Sequence, residues 1–373
     1  MNKKLSKIFA VVLALVMCFA MAMPAFAETL ASTDGSGSIT VNKNLILNSD
    51  AGVPAAKFTF TLEAYKGENK YPLYNGIMTG VDNSYTVSFT GNEETKAGIP
   101  SDPTDVTTDG KKYATESFDI DFTGVTFPEA GVYRYVITEN DVQSPYNITS
   151  SNPQYIDVYV EYAALEAGGF ADTLTIQGVF MHTDDSNLTD TSATPVKSSS
   201  FDNMYTTYDL TVAMNVSGNQ ADKEDYFKFT ITVNCPVDDT YAIDTANTTS
   251  ANNTGIALDV TNGTGTVDIY LKNGESALVK GLPVGTTYTV TDESGTYTAT
   301  YVVTVNGSII ISDGSGNEYK NTDGITGDTN ITFTNTRGGV IPTGIILTVA
   351  PFAVLMLVGI AGATVIVKKK RAL

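Results

Sequence analysis

The chain has 373 residues, with 41 acidic and 22 basic side chains, and its formal net charge at pH 7 is −19. A surplus of negative charge keeps a protein soluble and excludes nucleic acid and anionic membrane surfaces as partners of its main part. Two cysteines and one histidine are too few for a disulfide framework or a Cys/His metal site, so no metal and no cofactor are expected.

The chain opens with the pattern of a secretory signal peptide. Lysines stand at positions 3, 4 and 7, an apolar run covers 8–23, and Ala25-Phe26-Ala27 follows. A basic segment, an apolar segment and an A-x-A site in this order predict export, with cleavage between Ala27 and Glu28. Cys18 lies in the apolar run without the small residues that precede a lipidated cysteine, so a lipoprotein is excluded.

Residues 28–337 have the pattern of short β-strands. Runs rich in Thr, Val, Ile and aromatic residues alternate apolar with polar positions, as strands with one buried face do. Clusters of Gly, Asn, Asp and Pro separate these runs. The clearest runs are 58–62, 133–138, 155–162 and 298–305, and the clearest turns are 101–104 and 261–264. The pattern predicts an all-β protein with two tandem Ig-like β-sandwich domains.

An internal repeat sets the domain boundaries at 28–206 and 207–337. Each unit opens with a similar strand, continues with a paired-Phe strand, then has a Tyr-rich strand that ends in an acid, and closes with an aromatic residue and an asparagine. The matching segments are 39–43 with 210–214, 58–60 with 227–229, 135–139 with 288–292, and 201–203 with 333–335.

The C-terminal segment, 338–373, has three parts in a fixed order. Val340, Ile341, Pro342, Thr343 and Gly344 precede an uncharged stretch, 345–367, and a basic cluster, 368–371. The stretch is long enough to span a membrane as a helix with its basic end in the cytoplasm, and a plain single-span anchor is one interpretation. The order also resembles a sortase sorting signal of the V-P-T-G kind, with Ile in place of Val. That resemblance implies cleavage between Thr343 and Gly344 and transfer of the Thr343 carbonyl to an amine.

The repeated residues resemble the isopeptide-forming domains of Gram-positive major pilins of the streptococcal T-antigen type, over nearly the whole chain. In that family a lysine of the first strand is joined to an asparagine of the last strand beside an acid. Carried onto the first unit, the resemblance implies a bond between Lys43 and Asn203, with Glu139 as the proton shuttle. Burial shifts such lysine and glutamate pKa values toward the neutral forms, by up to ~3–5 units. The alternative is that the three are ordinary surface residues.

The second unit departs from the family pattern. Met214 stands at the lysine position, the acid is Asp292 or Glu293, and Asn335 is retained. Without an amine at position 214 we expect no bond in this unit. Lys228 does not replace it, because alternation places Lys228 opposite the paired phenylalanines.

The same resemblance implies a second functional lysine that joins one subunit to the next. Lys197 lies six residues before Asn203 and matches that position. Lys111 and Lys112 are the alternatives, in what the sequence predicts to be an exposed turn.

The function implied is that of a structural pilus subunit and not of an enzyme. Its expected partners are a sortase, further copies of itself, peptidoglycan and accessory pilins, at the cell surface of a Gram-positive bacterium. An accessory pilin, or an adhesin anchored one copy at a time, are the alternatives. A hydrolase is excluded because the chain shows no nucleophile motif or paired-carboxylate motif, His182 has no marked partner, and Cys235 has the setting of a small buried hydrophobe.

Overall fold

The computed structural model describes residues 31–32, 37–49, 51–69, 72–100, 110–140, 145–164, 170–183, 185 and 197–339. The expected signal-peptide cleavage site, the sorting motif and the uncharged span lie outside these residues. Within them, no helix has the length and apolar character needed to cross a membrane. Helical structure in the same ranges is limited to one 3-10 turn, Ala251–Asn253.

Twelve strands within the described residues build the first domain. They are β1 (Ala31–Ser32), β2 (Ser38–Asn48), β3 (Ala55–Ala64), β4 (Leu73–Asn75), β5 (Ser84–Thr90), β6 (Thr95–Ala97), β7 (Lys111–Asp121), β8 (Gly131–Asn140), β9 (Tyr146–Ile148), β10 (Gln154–Ala164), β11 (Phe170–His182) and β12 (Ser200–Tyr205). One sheet has the order β1-β11-β10-β8-β3-β5, with β4 beside β8, and the other has the order β6-β7-β2-β12-β9. Apolar side chains of both sheets meet in one core between them, so the first domain is a β-sandwich.

Eleven strands build the second domain. They are β13 (Thr207–Ser217), β14 (Phe227–Asn234), β15 (Thr240–Asp244), β16 (Ala257–Thr261), β17 (Thr264–Leu271), β18 (Ser276–Pro283), β19 (Thr287–Asp292), β20 (Thr298–Val305), β21 (Ser308–Ser315), β22 (Glu318–Asn321) and β23 (Thr329–Thr336). Their order is β21-β20-β23-β13-β18-β15-β16-β17-β14-β19-β22. The β15–β16 pair connects two faces that enclose a second core. The predicted all-β class and the two sandwich domains are confirmed.

Apolar and polar residues alternate in the sequence, and buried and less buried side chains alternate in the same way along the strands. In β14 the apolar positions from Phe227 to Val233 are buried, and the residues between them are not. The predicted turn at 261–264 joins β16 to β17, with positive φ angles of 53° at Asn262 and 76° at Gly263. Asn-Gly is the pair that such a two-residue hairpin turn favours.

The expected turn at Lys111 and Lys112 is wrong. Both residues begin β7, which pairs with β2 along its whole length, so that Lys111 faces Asn48 and Lys112 faces Leu47. The Lys111 ammonium donates a hydrogen bond to Asn48 Oδ1 at 2.7 Å. Pairing with the long strand β2 therefore keeps both lysines in regular β-structure.

The two domains follow each other with one residue, Thr206, between β12 and β13. Asn48, at the end of β2, donates to the Thr207 carbonyl at 3.2 Å. Val237 of the second domain is part of the first domain's core. The junction therefore lies at the C-terminal ends of β2 and β12.

Candidate functional site: a buried lysine, glutamate and asparagine

The first and last long strands of the first domain are parallel neighbours, and they carry two of the three predicted residues. In β2, Ile39, Val41 and Lys43 alternate inward, so the lysine takes a core position and is fully buried. In β12, Asn203 is also fully buried, and it is paired in register with Leu45. Glu139 enters from β8 in the opposite sheet and is 3% exposed.

Glu139 contacts both other members of the site. Lys43 Nζ lies 3.3 Å from Oε1 and 3.5 Å from Oε2 of Glu139, and Asn203 Nδ2 donates to Oε1 at 2.7 Å. The amine also donates to the Phe201 carbonyl at 3.2 Å. Asn203 Oδ1 has no hydrogen-bond donor within the described parts of the chain. A carboxyl group thus bridges an amine and a carboxamide inside the sandwich.

Aromatic rings enclose these groups and keep water out. The Lys43 amine lies 4.7 Å from the centroid of the Phe58 ring, and the Phe60 and Phe201 rings pack at 5.2 Å. Phe60 is also the residue paired with Glu139 across the neighbouring strands. The paired-Phe motif of the repeat therefore forms part of the wall of the site.

The apolar surroundings shift both titratable groups toward neutrality. Burial lowers the pKa of Lys43 to about 8, although the Glu139 carboxyl opposes the shift. Burial raises the pKa of Glu139, and contacts with Lys43 and Asn203 oppose that shift. Desolvation is the larger effect for each group, because the charged forms lose most of their hydration in this core. A neutral amine is a nucleophile, and a protonated carboxyl is a proton donor.

The second domain has the equivalent three positions, with methionine in place of the lysine and aspartate in place of the glutamate. Met214 and Asn335 are buried on the parallel neighbours β13 and β23. Met214 pairs with Phe333, as Lys43 pairs with Phe201. Asp292 pairs with Phe229 in the opposite face, as Glu139 pairs with Phe60.

The burial of the two acids distinguishes which of them corresponds to Glu139. Asp292 is fully buried, whereas the Glu293 side chain is 59% exposed and lies 2.8 Å from Lys228. Burial raises the Asp292 pKa to about 6, although the neighbouring Asn335 amide opposes the shift. That amide lies close to the carboxyl, but neither side chain makes a well-formed hydrogen bond within the described residues. The acid and amide are thus retained without an amine.

Lys197 is half-buried and fixed to the end of β11. Its backbone forms an antiparallel bridge with His182, and the next residue, Ser198, donates to the Met181 carbonyl at 3.0 Å. The Lys197 amine lies 5.3 Å from the centroid of the Phe180 ring. Desolvation by this surface lowers its pKa, which increases the fraction of neutral amine at a given pH.

A buried ionic cluster beside this segment was missed by the sequence analysis. Arg134 donates from Nε and Nη2 to the two Asp157 carboxylate oxygens, at 2.7 and 2.8 Å. His182 Nε2 lies 3.2 Å from the same carboxylate, so this histidine does have a partner. Burial alone would raise the Asp157 pKa, but the bonds from Arg134 and His182 lower it. Arg134 and Asp157 face each other across β8 and β10, a relation that only the strand register reveals.

Two family models match this chain, one in each domain. Residues 39–206 match the family of the Spy0128-like isopeptide containing domain. Residues 208–337 match a domain of unknown function, DUF7601. A protein from Streptococcus pyogenes serotype M1 with the name Pilin is 28% identical over 368 residues, covering 94% of this chain and 97% of its own length.

Solved structures agree with this match. A major pilin from Streptococcus pyogenes has 25% identity and a TM-score of 0.57, over 82% of this chain and 99% of its own. The major pilin T3.2 of serotype GAS13637 shares the fold, with 24% identity and a TM-score of 0.55, over 83% of this chain and 100% of its own. The first domain is therefore similar, over 39–206, to the Spy0128-like isopeptide containing domains. The chain as a whole is similar to streptococcal major pilins, as the repeated residues indicated.

Proposed function

We propose that the chain is a structural subunit of a covalently polymerised cell-surface pilus, stabilised by an amide bond between Lys43 and Asn203. The observation that carries the proposal is the fully buried lysine and asparagine on neighbouring first and last strands, both in contact with Glu139. Burial of this triad in an apolar core costs stability, and a covalent bond between two of its members would offset that cost. The similarity to a streptococcal pilin over nearly the whole chain supports the same function.

The bond forms by attack of the neutral Lys43 amine on Cγ of Asn203. Protonated Glu139 donates to the amide as the tetrahedral carbon forms, and its carboxylate then accepts a proton from the attacking nitrogen. The Cγ–Nδ2 bond breaks, and Nδ2 leaves as ammonia. The new amide joins β2 to β12, and Glu139 ends in its starting state. The folded core holds the reactants in contact, which replaces an external catalyst.

The ends of the subunit support head-to-tail polymerisation. Lys197 precedes β12, which runs toward the junction, and β23 runs away from the junction. In this proposal a sortase cleaves between Thr343 and Gly344 and joins Thr343 to Lys197 of the next copy. The last copy is joined to peptidoglycan, and accessory pilins are further partners. The signal peptide 1–27, domains 28–206 and 207–337, and sorting signal 338–373 are the corresponding parts of the chain.

Two measurements test the proposal. The intact mass of chain 28–343 should fall short of the sequence mass by one ammonia, and Lys43→Ala should abolish this loss. An immunoblot of wall material released by a muramidase, under denaturing and reducing conditions, should give a ladder that Lys197→Ala collapses to one band. A full sequence mass rejects the bond. A single band from the wild type indicates a protein anchored one copy at a time, and a ladder that persists in the variant places the linking lysine elsewhere.

A further inference from the structure

The covalent connections of the proposed pilus determine which part of each subunit carries tension. If Lys197 receives the preceding subunit and Thr343 joins the following one, tension follows the backbone from Lys197 through β12 and Thr206 into the second domain. Residues before Lys197 lie outside this path. This step rests on the proposed function, and it leaves the second domain as the only folded unit that separates the two points of attachment.

Tension is applied to the second domain at opposite ends of two neighbouring strands. Force enters β13 at Thr207 and leaves β23 at Arg337. The two strands are parallel and paired at eight positions, from Leu210 with Thr329 to Ser217 with Thr336. Pulling the start of one strand against the end of the other shears this pairing, and backbone hydrogen bonds with side-chain packing are what resist it.

Position 214, which lacks an amine, lies where a bond to Asn335 would take most of the second domain out of the path of tension. A bond between positions 214 and 335 would carry force directly from β13 to β23 and would shield residues 215–334. Met214 is 1% exposed and fills the position with an unreactive side chain. Asp292 and Asn335 remain buried there without a well-formed hydrogen bond in the described structure. The site thus retains an acid and an amide but has no nucleophile.

We propose that the second domain is the extensible element of the subunit, unfolding under tension while the first domain stays closed. The buried Met214 in place of an amine, beside retained Asp292 and Asn335, is the basis of this proposal. Extension of one domain per subunit lengthens the fibre and limits the force that reaches its attachment points. The first domain, which carries the reactive triad, would keep its fold.

Single-molecule pulling of chain 28–343 tests the proposal, with one attachment at Lys197→Cys and the other after Thr343, in a Cys235→Ala background. We expect one length gain from residues 207–337, roughly 450 Å at about 3.5 Å per extended residue, less the folded length. Absence of any gain up to detachment would overturn the proposal. Pulling from residue 28 instead tests the first domain. A second gain there would show that its bond is absent, which is a failure of the proposed function and not of this inference.

Substitutions at position 214 identify the origin of the gain. Met214→Leu is the matched control, and it should retain the full gain because it adds no amine. Met214→Lys supplies the nucleophile, and the chains that lose one further ammonia should lose the gain. The double variant Met214→Lys with Asn335→Ala cannot form the bond and should regain the extension. If cross-linked Met214→Lys chains extend as far as the wild type, the second domain is not the extensible element.

Discussion

The buried acid of the second domain should make that domain more stable in acid than at neutral pH. No cation of the described residues pairs with Asp292, and burial raises its pKa from 3.8 to about 6. A carboxyl whose pKa is raised in the folded state binds its proton more tightly than in the unfolded state. Its contribution to stability is therefore fully present below pH 3.8 and is lost as the pH rises through about 6.

The size of this effect follows from the shift. Each whole pKa step corresponds to about 1.4 kcal/mol, so the second domain should lose about 3 kcal/mol between pH 3.8 and pH 6 from this group. Asp292→Asn keeps the shape of the side chain and removes its titration, and it should abolish that part of the pH dependence. Glu293→Gln is the matched control, because that neighbouring carboxyl is exposed and should leave the dependence in place.

Hydrogen exchange read by mass spectrometry on peptides from 207–337 measures the opening free energy of this domain without interference from the first domain. The opening free energy is measured at pH 3.8 and at pH 7 in the wild type and in Asp292→Asn. The wild-type change between the two pH values is then compared with the change in the variant. A difference near zero, or one of the opposite sign, would refute the assignment of a neutral buried acid.

Three further outcomes concern the first domain. Glu139→Gln should leave chain 28–343 at its full sequence mass, because the amide cannot relay the protons that bond formation moves; an ammonia loss in this variant would exclude the role given to Glu139. Phe201→Ala in the Lys43→Ala background should lower the free energy of unfolding by about 3–5 kcal/mol through the cavity it leaves, as measured by urea titration, and a loss below about 1 kcal/mol would contradict the tight packing of that ring. Arg134→Met in the same background should cost about 3–5 kcal/mol because Asp157 keeps a buried charge without its main partner, with Lys57→Met as the exposed control.

Much of the site could be predicted because the repeat places its residues at equivalent strand positions. The resemblance to isopeptide-forming domains implied Lys43, Glu139 and Asn203 at the repeated strand positions, and the core brings all three together. The choice between Asp292 and Glu293 was left open, although alternation from Tyr288 through Val290 leads inward to Asp292.

Other features depend on pairings that no single strand contains. Arg134 and Asp157 are ordinary charged residues in sequence, and they become a buried pair only when β8 and β10 adopt their register. Lys111 and Lys112 were expected in an exposed turn, but pairing with β2 extends β7 through both residues. Tertiary partners outweighed the local turn signal in this case.

The parallel pairing of β2 with β12 also determines when the first domain can complete its fold. Lys43 and the Phe201 carbonyl that it contacts are separated by 158 positions in the chain, and contacts this distant are among the last to form because closing the intervening loop costs entropy. A chain exported from its N-terminus exposes β2 well before β12 emerges. Amide formation would then follow emergence of the whole domain, so a chain still in transit stays unlinked and able to pass through a narrow channel. The late emergence of β12 would therefore determine when the amide forms, without an external signal.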